Sequence, residues 1–453
     1  MRVTERGNFG SKLGIVLATA GSAVGLGNVW RFPYTAGQNG GAAFFLIYIG
    51  CILILGIPGM LSEFIVGRHG QANAARAYDK LSNGRPWRLV GYLGIVTSII
   101  ILGFYAVVAG WCLEYFLASI AGQIKGDPAY VKDYFLRFSS DPLKPVAWGI
   151  AFILLTHFIV VKGVRAGIER ASKWLMPVLL LLLVVLVVAS CMLPGALAGV
   201  EFLLKPDFSK ISRGVFLEAL GQAFFSLSLG TACLCTYASY FSKDTHLLRS
   251  AGQIALLDTM IAILAGLIIF PAAASVGVSP DSGPSLIFIT LPNVFQQAFS
   301  GVPAVSYVVS VMFYALLVFA ALTSTISMHE IGTAFFTEEH NLPRSRSAWI
   351  ITIITSLICL CCAVSVGACP DWQLLGVSLM DFCDKLTANF MLPLGGMLTC
   401  LFVGWFIPRQ LIRDEFTNQG TLSGRFFAVY LFAVRYICPI CVILVFLHQL
   451  GVL

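Results

Sequence analysis

The chain alternates between long apolar segments and short polar loops. Eleven segments are long enough, at about 20 residues each, to cross the hydrocarbon core of a bilayer. Their centres lie near Val24, Leu53, Ile101, Phe152, Leu182, Leu227, Ile263, Val311, Ile354, Leu394 and Val442. No stretch between them is large enough for a soluble domain. The pattern therefore predicts an all-α polytopic membrane protein, with one transmembrane domain over residues 1–453.

The first apolar segment contains residues that a regular lipid-facing helix does not tolerate well. Three glycines fall between residues 21 and 27, and Pro33 follows soon after. Asn28 and Arg31 add polar groups at membrane depth. Irregular backbone survives there only where it lines a protein-buried or watery cavity. We therefore predict a broken helix; the alternative is a glycine-rich face that packs on a neighbouring helix.

A second interruption falls five spans later, at 226–230. Two broken helices at this separation have opposite orientations across the membrane. This is typical of an inverted-topology repeat with a binding site near the midplane. We expect a first repeat over about 10–193, a second over about 214–407, and an additional eleventh helix over about 425–450.

The distribution of charged residues indicates the orientation of the chain in the membrane rather than a partner such as nucleic acid. The chain is 58% hydrophobic and only 11% charged. With the N-terminus inside, the inner loops carry 19 of the 29 Lys and Arg residues, and the outer loops carry seven. The positive-inside rule then predicts a cytoplasmic N-terminus and an extracytoplasmic C-terminus in the cell (plasma) membrane. Oligomeric state is left open.

Cysteine and histidine show no catalytic pattern. The 13 cysteines lie mostly inside spans, where they act as small apolar packing residues. The six histidines lack metal-ligand spacing, and no nucleophile lies beside a base. We therefore expect a protein that is not an enzyme. An ion channel would need a continuous polar pore, whereas the polar residues here cluster at one depth.

Ionisable residues inside spans are the first functional candidates. Asp258 lies well inside the seventh span with no Lys or Arg nearby. Its carboxylate needs a cation or must be protonated, because an unpaired buried charge is costly. Bound Na⁺ and a protonated structural Asp are the two interpretations. Glu63, near the inner end of the second span, is expected to cap the backbone of a broken helix.

The eighth span supplies a possible cluster of oxygen atoms. Thr323 and Ser324 are adjacent, and the carbonyl of Ala320 lies one turn earlier. Hard cations prefer such oxygen ligands, although helical Thr and Ser more commonly bond their own backbone. Taken alone, this motif is weak.

Together these residues resemble the neurotransmitter:sodium symporter family, whose members have the leucine-transporter fold. The strongest motif is Gly-x-Ala-Val-Gly-Leu-Gly-Asn-x-x-Arg-Phe-Pro at 21–33. It is supported by Ser-Leu-Ser-Leu-Gly at 226–230, Thr-Tyr-Ala-Ser-Tyr at 236–240 and Ala-x-Leu-Thr-Ser at 320–324. The resemblance covers essentially the whole chain, and is strongest to bacterial eleven-helix members that take several hydrophobic amino acids.

The resemblance implies two sodium sites. The ligands of the first would be the Ala23 carbonyl, the side chains of Asn28, Ser226 and Asp258, and the substrate carboxylate. The ligands of the second would be the carbonyls of Gly21, Val24 and Ala320 with the hydroxyls of Thr323 and Ser324.

The resemblance also implies a substrate site and two gates. The substrate carboxylate would meet Leu26, Gly27 and Tyr105, and its amine would meet Ala23, Phe225, Ser226 and Ser228. The side-chain pocket would be formed by Ile101, Tyr105, Phe225, Thr231, Ser324 and Met328. Arg31 with Asp384 would form the outer gate under the lid of Phe225, and Arg6 with Glu338 the inner gate, braced by Phe9 and Tyr240.

Departures from the family pattern indicate which substrate and which ions the protein binds. Gly25 replaces the Asp of amine-transporting members and leaves room for a substrate carboxylate. Chloride-dependent members use Tyr, Gln and two Ser; Tyr48, Gln222 and Ser226 match, but the last position is Ala262. Asp258 supplies a fixed negative charge instead, so no chloride requirement is expected.

The expected function is sodium-coupled symport of a neutral amino acid by alternating access. Thr231 is small where many members have a bulky residue, so a large hydrophobic or aromatic side chain is expected. The alternatives are a symporter for small neutral amino acids and a non-transporting amino-acid sensor.

Overall fold

The computed structural model describes residues 8–124, 127–210, 213–277 and 286–449. This part of the chain is almost entirely helical. The helices, with π-helical turns included, are α1 Lys12–Ala23, α2 Gly27–Gln38, α3 Ala42–Gly70, α4 Ala74–Ser82, α5 Arg88–Ile120, α6 Pro128–Ser140, α7 Lys144–Val160, α8 Val164–Cys191, α9 Ala196–Leu204, α10 Arg213–Ser226, α11 Cys233–Ala238, α12 Leu247–Ser275, α13 Leu291–Ala298 (preceded by the π-helical turn Leu286–Thr290), α14 Pro303–Glu339, α15 Arg344–Val366, α16 Leu379–Phe406, α17 Arg409–Phe416 and α18 Phe427–Leu447. Strands β1 Gln373–Leu374 and β2 Val377–Ser378 form a small antiparallel hairpin.

Within the described residues, eight helices are long and apolar enough to cross a membrane by themselves. These helices are α3, α5, α8, α12, α14, α15, α16 and α18. Two bent pairs, α1 with α2 (52°) and α6 with α7 (76°), raise the number to ten if each pair is one span. The remaining predicted segment, near Leu227, consists of α10 and α11. The prediction of eleven crossings therefore depends on α10 and α11 together forming one broken span.

Proline shapes these helices through π-helical turns. In six of the seven π-helical turns of the described chain, the turn ends two residues before a proline. These prolines are Pro33, Pro58, Pro292, Pro393, Pro408 and Pro439. A proline ring clashes with the carbonyl one turn earlier and cannot donate to it. Widening that turn accommodates the ring, so helices such as α3 and α16 continue past their prolines.

Helix α5 lies at the centre of the molecule, where it packs against α7, α14 and α15. Small residues allow these close approaches. A Cβ on Gly110 of α5 would lie 2.5 Å from the backbone nitrogen of Gly149 on α7. A Cβ on Gly94 would lie 2.6 Å from the Cβ of Ala232. Without a hydrophobic driving force between helices, such packing is a main source of association in the membrane.

Two glycines of α3 provide a matched test of this packing. A Cβ on Gly67 would lie 2.0 Å from the carbonyl oxygen of Cys235, whereas a Cβ on Gly50 would meet nothing within 4 Å. We expect Gly67→Ala to destabilise the protein by about 1–3 kcal/mol, because backbone must move to relieve the clash. Gly50→Ala should leave stability unchanged or slightly higher. Thermal unfolding in detergent measures both, and equal midpoints would contradict the predicted clash.

Candidate functional site

The first helix breaks between α1 and α2. Residue Val24 leaves the helix with extended backbone (φ −72°, ψ 112°). The position of Gly25 explains the need for glycine: a Cβ there would lie 2.4 Å from the Ser324 Oγ and 2.9 Å from the Tyr105 hydroxyl. The amide of Leu26 donates to that same Tyr105 hydroxyl at 2.9 Å. The broken backbone therefore directly contacts side chains of α5 and α14.

The second break separates α10, which ends at Ser226, from α11. The backbone between them has positive φ at Ser228 (53°), Gly230 (81°) and Ala232 (60°). Glu63 of α3, which is buried, accepts hydrogen bonds from the amides of Gly230 (2.7 Å) and Cys235 (3.3 Å). The structure thus shows the backbone-capping contact that the sequence predicts for Glu63.

A fully buried carboxylate lies beside these breaks. The Asp258 side chain is 0% exposed. One of its oxygens accepts from the Asn28 amide nitrogen (2.8 Å), and the other accepts from the hydroxyls of Ser226 (2.8 Å) and Tyr48 (3.1 Å). All three donors are neutral, so they stabilise the carboxylate without balancing its charge. The Asn28 amide oxygen accepts from the Gly25 amide (3.2 Å), and a second lone pair on this oxygen is available to a cation.

Two of the residues that match the chloride-site positions of the family form hydrogen bonds to Asp258 instead. The hydroxyls of Tyr48 and Ser226 both donate to this carboxylate. The third, Gln222, donates through its amide nitrogen to the Gly27 carbonyl (3.2 Å), and Ala262 is fully buried. The hydroxyl groups that would donate to a bound anion thus already donate to the Asp258 carboxylate.

A second cluster of oxygen atoms joins α1 to α14. The Val24 carbonyl accepts from the hydroxyls of Thr323 (3.2 Å) and Ser324 (3.1 Å), and Thr323 also donates to the Ala320 carbonyl (2.9 Å). A Cβ on Gly21 would lie 3.4 Å from the Cβ of Thr323, so Gly21 lies beside the cluster. The structure brings together all five residues predicted for the second sodium site.

A cavity of about 40 Å³ lies between the two breaks. Its lining includes ten of the residues predicted to contact substrate, namely Ala23, Gly27, Ile101, Tyr105, Phe225, Ser226, Ser228, Thr231, Ser324 and Met328. Gly25, which the sequence predicts to leave room for the substrate carboxylate, also lines it, whereas sequence reasoning missed Ser22, Cys233, Ser327 and Leu392, which complete the wall. The available signal was the position of Ser22 and Cys233 on the broken segments and of Ser327 on α14, whereas Leu392 lies on α16 and had no such signal.

Phe225, with Gly27 and Tyr105, lines both this cavity and a larger one of about 620 Å³. Arg31 and Asp384 both line the larger cavity. No ion pair within 4.0 Å joins these two described residues. Instead, the Arg31 guanidinium lies over the Phe225 ring, 4.4 Å from its centroid. The predicted lid residue and both predicted outer-gate residues are therefore close neighbours.

The opposite side is closed by a polar network. Arg6 lies outside the described residues, so the predicted Arg6–Glu338 pair is untested. Glu338 accepts from the backbone amide (2.6 Å) and the side-chain amide (3.1 Å) of Asn73. The ring of Phe9 meets that of Tyr240 edge-on, with centroids 6.1 Å apart.

Two charged residues at this side were not predicted as part of the site. Glu330 is fully buried, forms an ion pair with Arg344, and accepts from the Tyr240 hydroxyl (2.8 Å). Glu330 is a charge two residues after Met328 in an apolar span, and this was the signal available in the sequence.

Comparisons with known proteins agree with this geometry. The model of the sodium:neurotransmitter symporter family matches residues 6–132 and 129–452. A Bacillus subtilis protein described as an uncharacterized sodium-dependent transporter, YhdH, is 39% identical over 98% of both chains. A Haemophilus influenzae protein described as an uncharacterized sodium-dependent transporter is 32% identical, also over 98% of both. The human sodium- and chloride-dependent GABA transporter 2 is 27% identical over 64% of this chain and 56% of its own.

Among solved structures, MhsT in complex with L-phenylalanine superposes with a TM-score of 0.90. It is 39% identical, covering 98% of this chain and 99% of that one. The predicted family and the predicted leucine-transporter fold are thereby confirmed. The relatives are transporters rather than enzymes, as expected. The chain is a multi-pass membrane protein that belongs to the sodium:neurotransmitter symporter family of sodium-dependent transporters.

Proposed function

We propose that the protein imports neutral, hydrophobic amino acids together with Na⁺ bound at two sites. The observation that carries the proposal is the placement of one small cavity between two broken helices and two oxygen clusters. Backbone amides at Leu26 and Gly27 would receive the substrate carboxylate with the Tyr105 hydroxyl. Backbone carbonyls at Ala23, Phe225 and Ser226, with the Ser228 hydroxyl, would receive its amine; the Phe225 carbonyl also accepts from the Ser228 amide (3.1 Å).

The Asp258 cluster would form the first sodium site, completed by the substrate carboxylate. The cluster of Thr323 and Ser324 would form the second. In this scheme the Na⁺ ions neutralise Asp258 and bridge α1 to α14. Arg31 and Asp384 act as the outer gate, with Phe225 as the lid, and Arg6 and Glu338 act as the inner gate.

The topology completes the proposal. The chain would lie in the cell membrane with a cytoplasmic N-terminus and an extracytoplasmic C-terminus. It would contain the two inverted repeats and the eleventh helix at the boundaries given above. Alternating access would then expose the cavity first to the side of the 620 Å³ vestibule, which is the outer side in this topology.

Two observations bear on substrate size in opposite directions. Phenylalanine bound to a similar protein, MhsT, supports a large hydrophobic amino acid. The cavity of about 40 Å³ favours a small neutral amino acid such as glycine or alanine. We favour the large substrate because Phe225 and Met328, both on the cavity wall, are side chains that can repack.

The second sodium site is tested by removing its hydroxyls. We expect the double variant Thr323→Ala/Ser324→Ala to need at least tenfold more Na⁺ for half-maximal uptake, because two oxygen ligands are lost. Thr325→Ala is the matched control, since that hydroxyl bonds the Leu322 carbonyl and Thr156 instead. Sodium titrations of amino-acid uptake in proteoliposomes provide the measurement. An unchanged sodium dependence in the double variant would refute the assignment.

The charge of Asp258 generates a prediction about chloride. Wild-type uptake should be the same in chloride and in gluconate. Asp258→Asn should lose uptake or bind Na⁺ more weakly, because no other described charge balances the ion. Combining it with Ala262→Ser should restore uptake in chloride only. Uptake with each anion is the readout, and a strong chloride requirement in the wild type would overturn this view.

The size of the substrate depends on Thr231 at the cavity wall. Each buried methylene contributes about 0.8 kcal/mol, so Leu should bind at least tenfold more tightly than Gly. Thr231→Phe should weaken Trp and Tyr binding more than Leu binding. Thr231→Val controls for the hydroxyl, which bonds Ser228 and Cys233, at nearly constant size. Competition against labelled leucine gives the ranking; glycine outcompeting tryptophan in the wild type would establish the small-substrate alternative.

A further inference from the structure

The wall of the substrate cavity contains more hydroxyl groups than the proposed function uses. Seven side chains with a hydroxyl line the cavity, namely Ser22, Tyr105, Ser226, Ser228, Thr231, Ser324 and Ser327. In the proposed function, four of these hydroxyls contact the substrate carboxylate, its amine or Na⁺. The hydroxyls of Ser22, Thr231 and Ser327 have no role in that scheme, although all three residues are buried.

Each of these three hydroxyls already donates its hydrogen to a backbone carbonyl three residues earlier. The bonds, all 2.7 Å long, are Ser22 to Thr19, Thr231 to Ser228 and Ser327 to Ser324. A hydroxyl has one hydrogen and two lone pairs, so these groups offer the cavity acceptor oxygens rather than donors. Each bond lies within three residues of chain, so repacking of Phe225 or Met328 around a substrate leaves it intact.

Two of the three oxygens keep their lone pairs available. Thr231 already accepts from the Cys233 amide at 3.1 Å. Ser22 of α1 and Ser327 of α14 accept from no N–H or O–H group in the described part of the chain. The thiol of Cys233 lies within reach of both hydroxyls, but a thiol is only a weak donor. The corner formed by Ser22, Cys233 and Ser327 is therefore the part of the wall best able to accept a hydrogen bond.

The narrowness of the cavity brings a substrate side chain into contact with this corner. The cavity has a volume of about 40 Å³, so a side chain that enters it contacts all of its walls. A donor on that side chain can replace its lost hydration by bonding a serine oxygen. An acceptor cannot, and burial of an unpaired polar atom is unfavourable. The indole N–H group only donates, and the phenol O–H group can donate.

We propose that Ser22 and Ser327 select among large substrates by the type of hydrogen bond that the substrate side chain can form. This rests on the proposed function, in which the substrate is a large hydrophobic amino acid. Side chains with an N–H or O–H donor, as in tryptophan and tyrosine, bind more tightly than side chains of the same shape without one. Ser22 and Ser327 are thus specificity-determining residues, whereas the contacts to carboxylate, amine and Na⁺ recognise every amino acid alike.

The first test compares tryptophan with 3-benzothienylalanine in the wild-type protein. The two have nearly the same shape, but sulfur replaces the indole N–H group, which removes the donor and makes the ring more hydrophobic. Competition against labelled leucine gives both affinities. We expect tryptophan to bind about threefold more tightly or better, as one net hydrogen bond implies. Equal or tighter binding of benzothienylalanine would overturn the proposal alone. If neither competes with leucine, the large-substrate assignment fails, and the proposal fails with it.

The second test removes the two acceptors. Ser22→Ala/Ser327→Ala should abolish the preference for tryptophan over benzothienylalanine while keeping the affinity for benzothienylalanine, which also shows that the variant folds. Ser365→Ala is the matched control and should keep the wild-type preference. Ser365 is buried and donates to the Cys362 carbonyl three residues earlier (2.8 Å), but it does not line this cavity. A preference that persists in the double variant would refute the role of the two serines, and the wild-type comparison decides the proposal should that variant misfold.

Discussion

The buried charge of Asp258 is the constraint on which the centre of this molecule depends. Its carboxylate is held by donors from three other helices: Asn28 of α2, Tyr48 of α3 and Ser226 of α10. None of these donors is cationic, so an ionised carboxylate here would need a cation to balance its charge. A bound Na⁺ would relieve that imbalance at the point where four helices meet. In the proposed scheme, ion binding would therefore be coupled to helix arrangement, because any rearrangement of α2 or α10 changes the environment of the same carboxylate.

The backbone groups exposed at the two helix breaks are satisfied by different kinds of partner. The partner at the second break is structural, whereas the partners at the first break are also proposed ligand groups. At the second break, Glu63 satisfies the amides of Gly230 and Cys235 permanently. At the first break, the partners are Tyr105 and the hydroxyls on α14, which are themselves proposed ligand groups. Substrate or Na⁺ would therefore exchange one hydrogen bond for another rather than fill a void. The net free-energy change of exchanging one hydrogen bond for another is modest. A modest change suits a site that must also release its substrate and ions.

The sequence predicts those features that depend on backbone chemistry. The breaks could be located because glycine and proline disrupt a helix whatever surrounds them, and Asp258 stood out as a carboxylate without a nearby cation in its span. The Glu330–Arg344 pair could not be found in this way, because the two residues lie on different helices and pair only after α14 packs against α15. The volume of the substrate cavity was also beyond sequence reasoning, since it depends on the orientation of Phe225 and not on its identity.

Arg31 links that orientation to the proposed outer gate. Its guanidinium stacks on Phe225 here and is not within 4.0 Å of the Asp384 carboxylate, although both charged residues line the same vestibule. A cation–π contact contributes about 0.5–2 kcal/mol, and a solvent-accessible ion pair about 0–1 kcal/mol. The two partners of Arg31 are therefore closely balanced in energy. A difference of about 1.4 kcal/mol shifts such an equilibrium tenfold, so in the proposed scheme a substrate that displaced the Phe225 ring by filling the cavity beneath it would shift Arg31 toward Asp384.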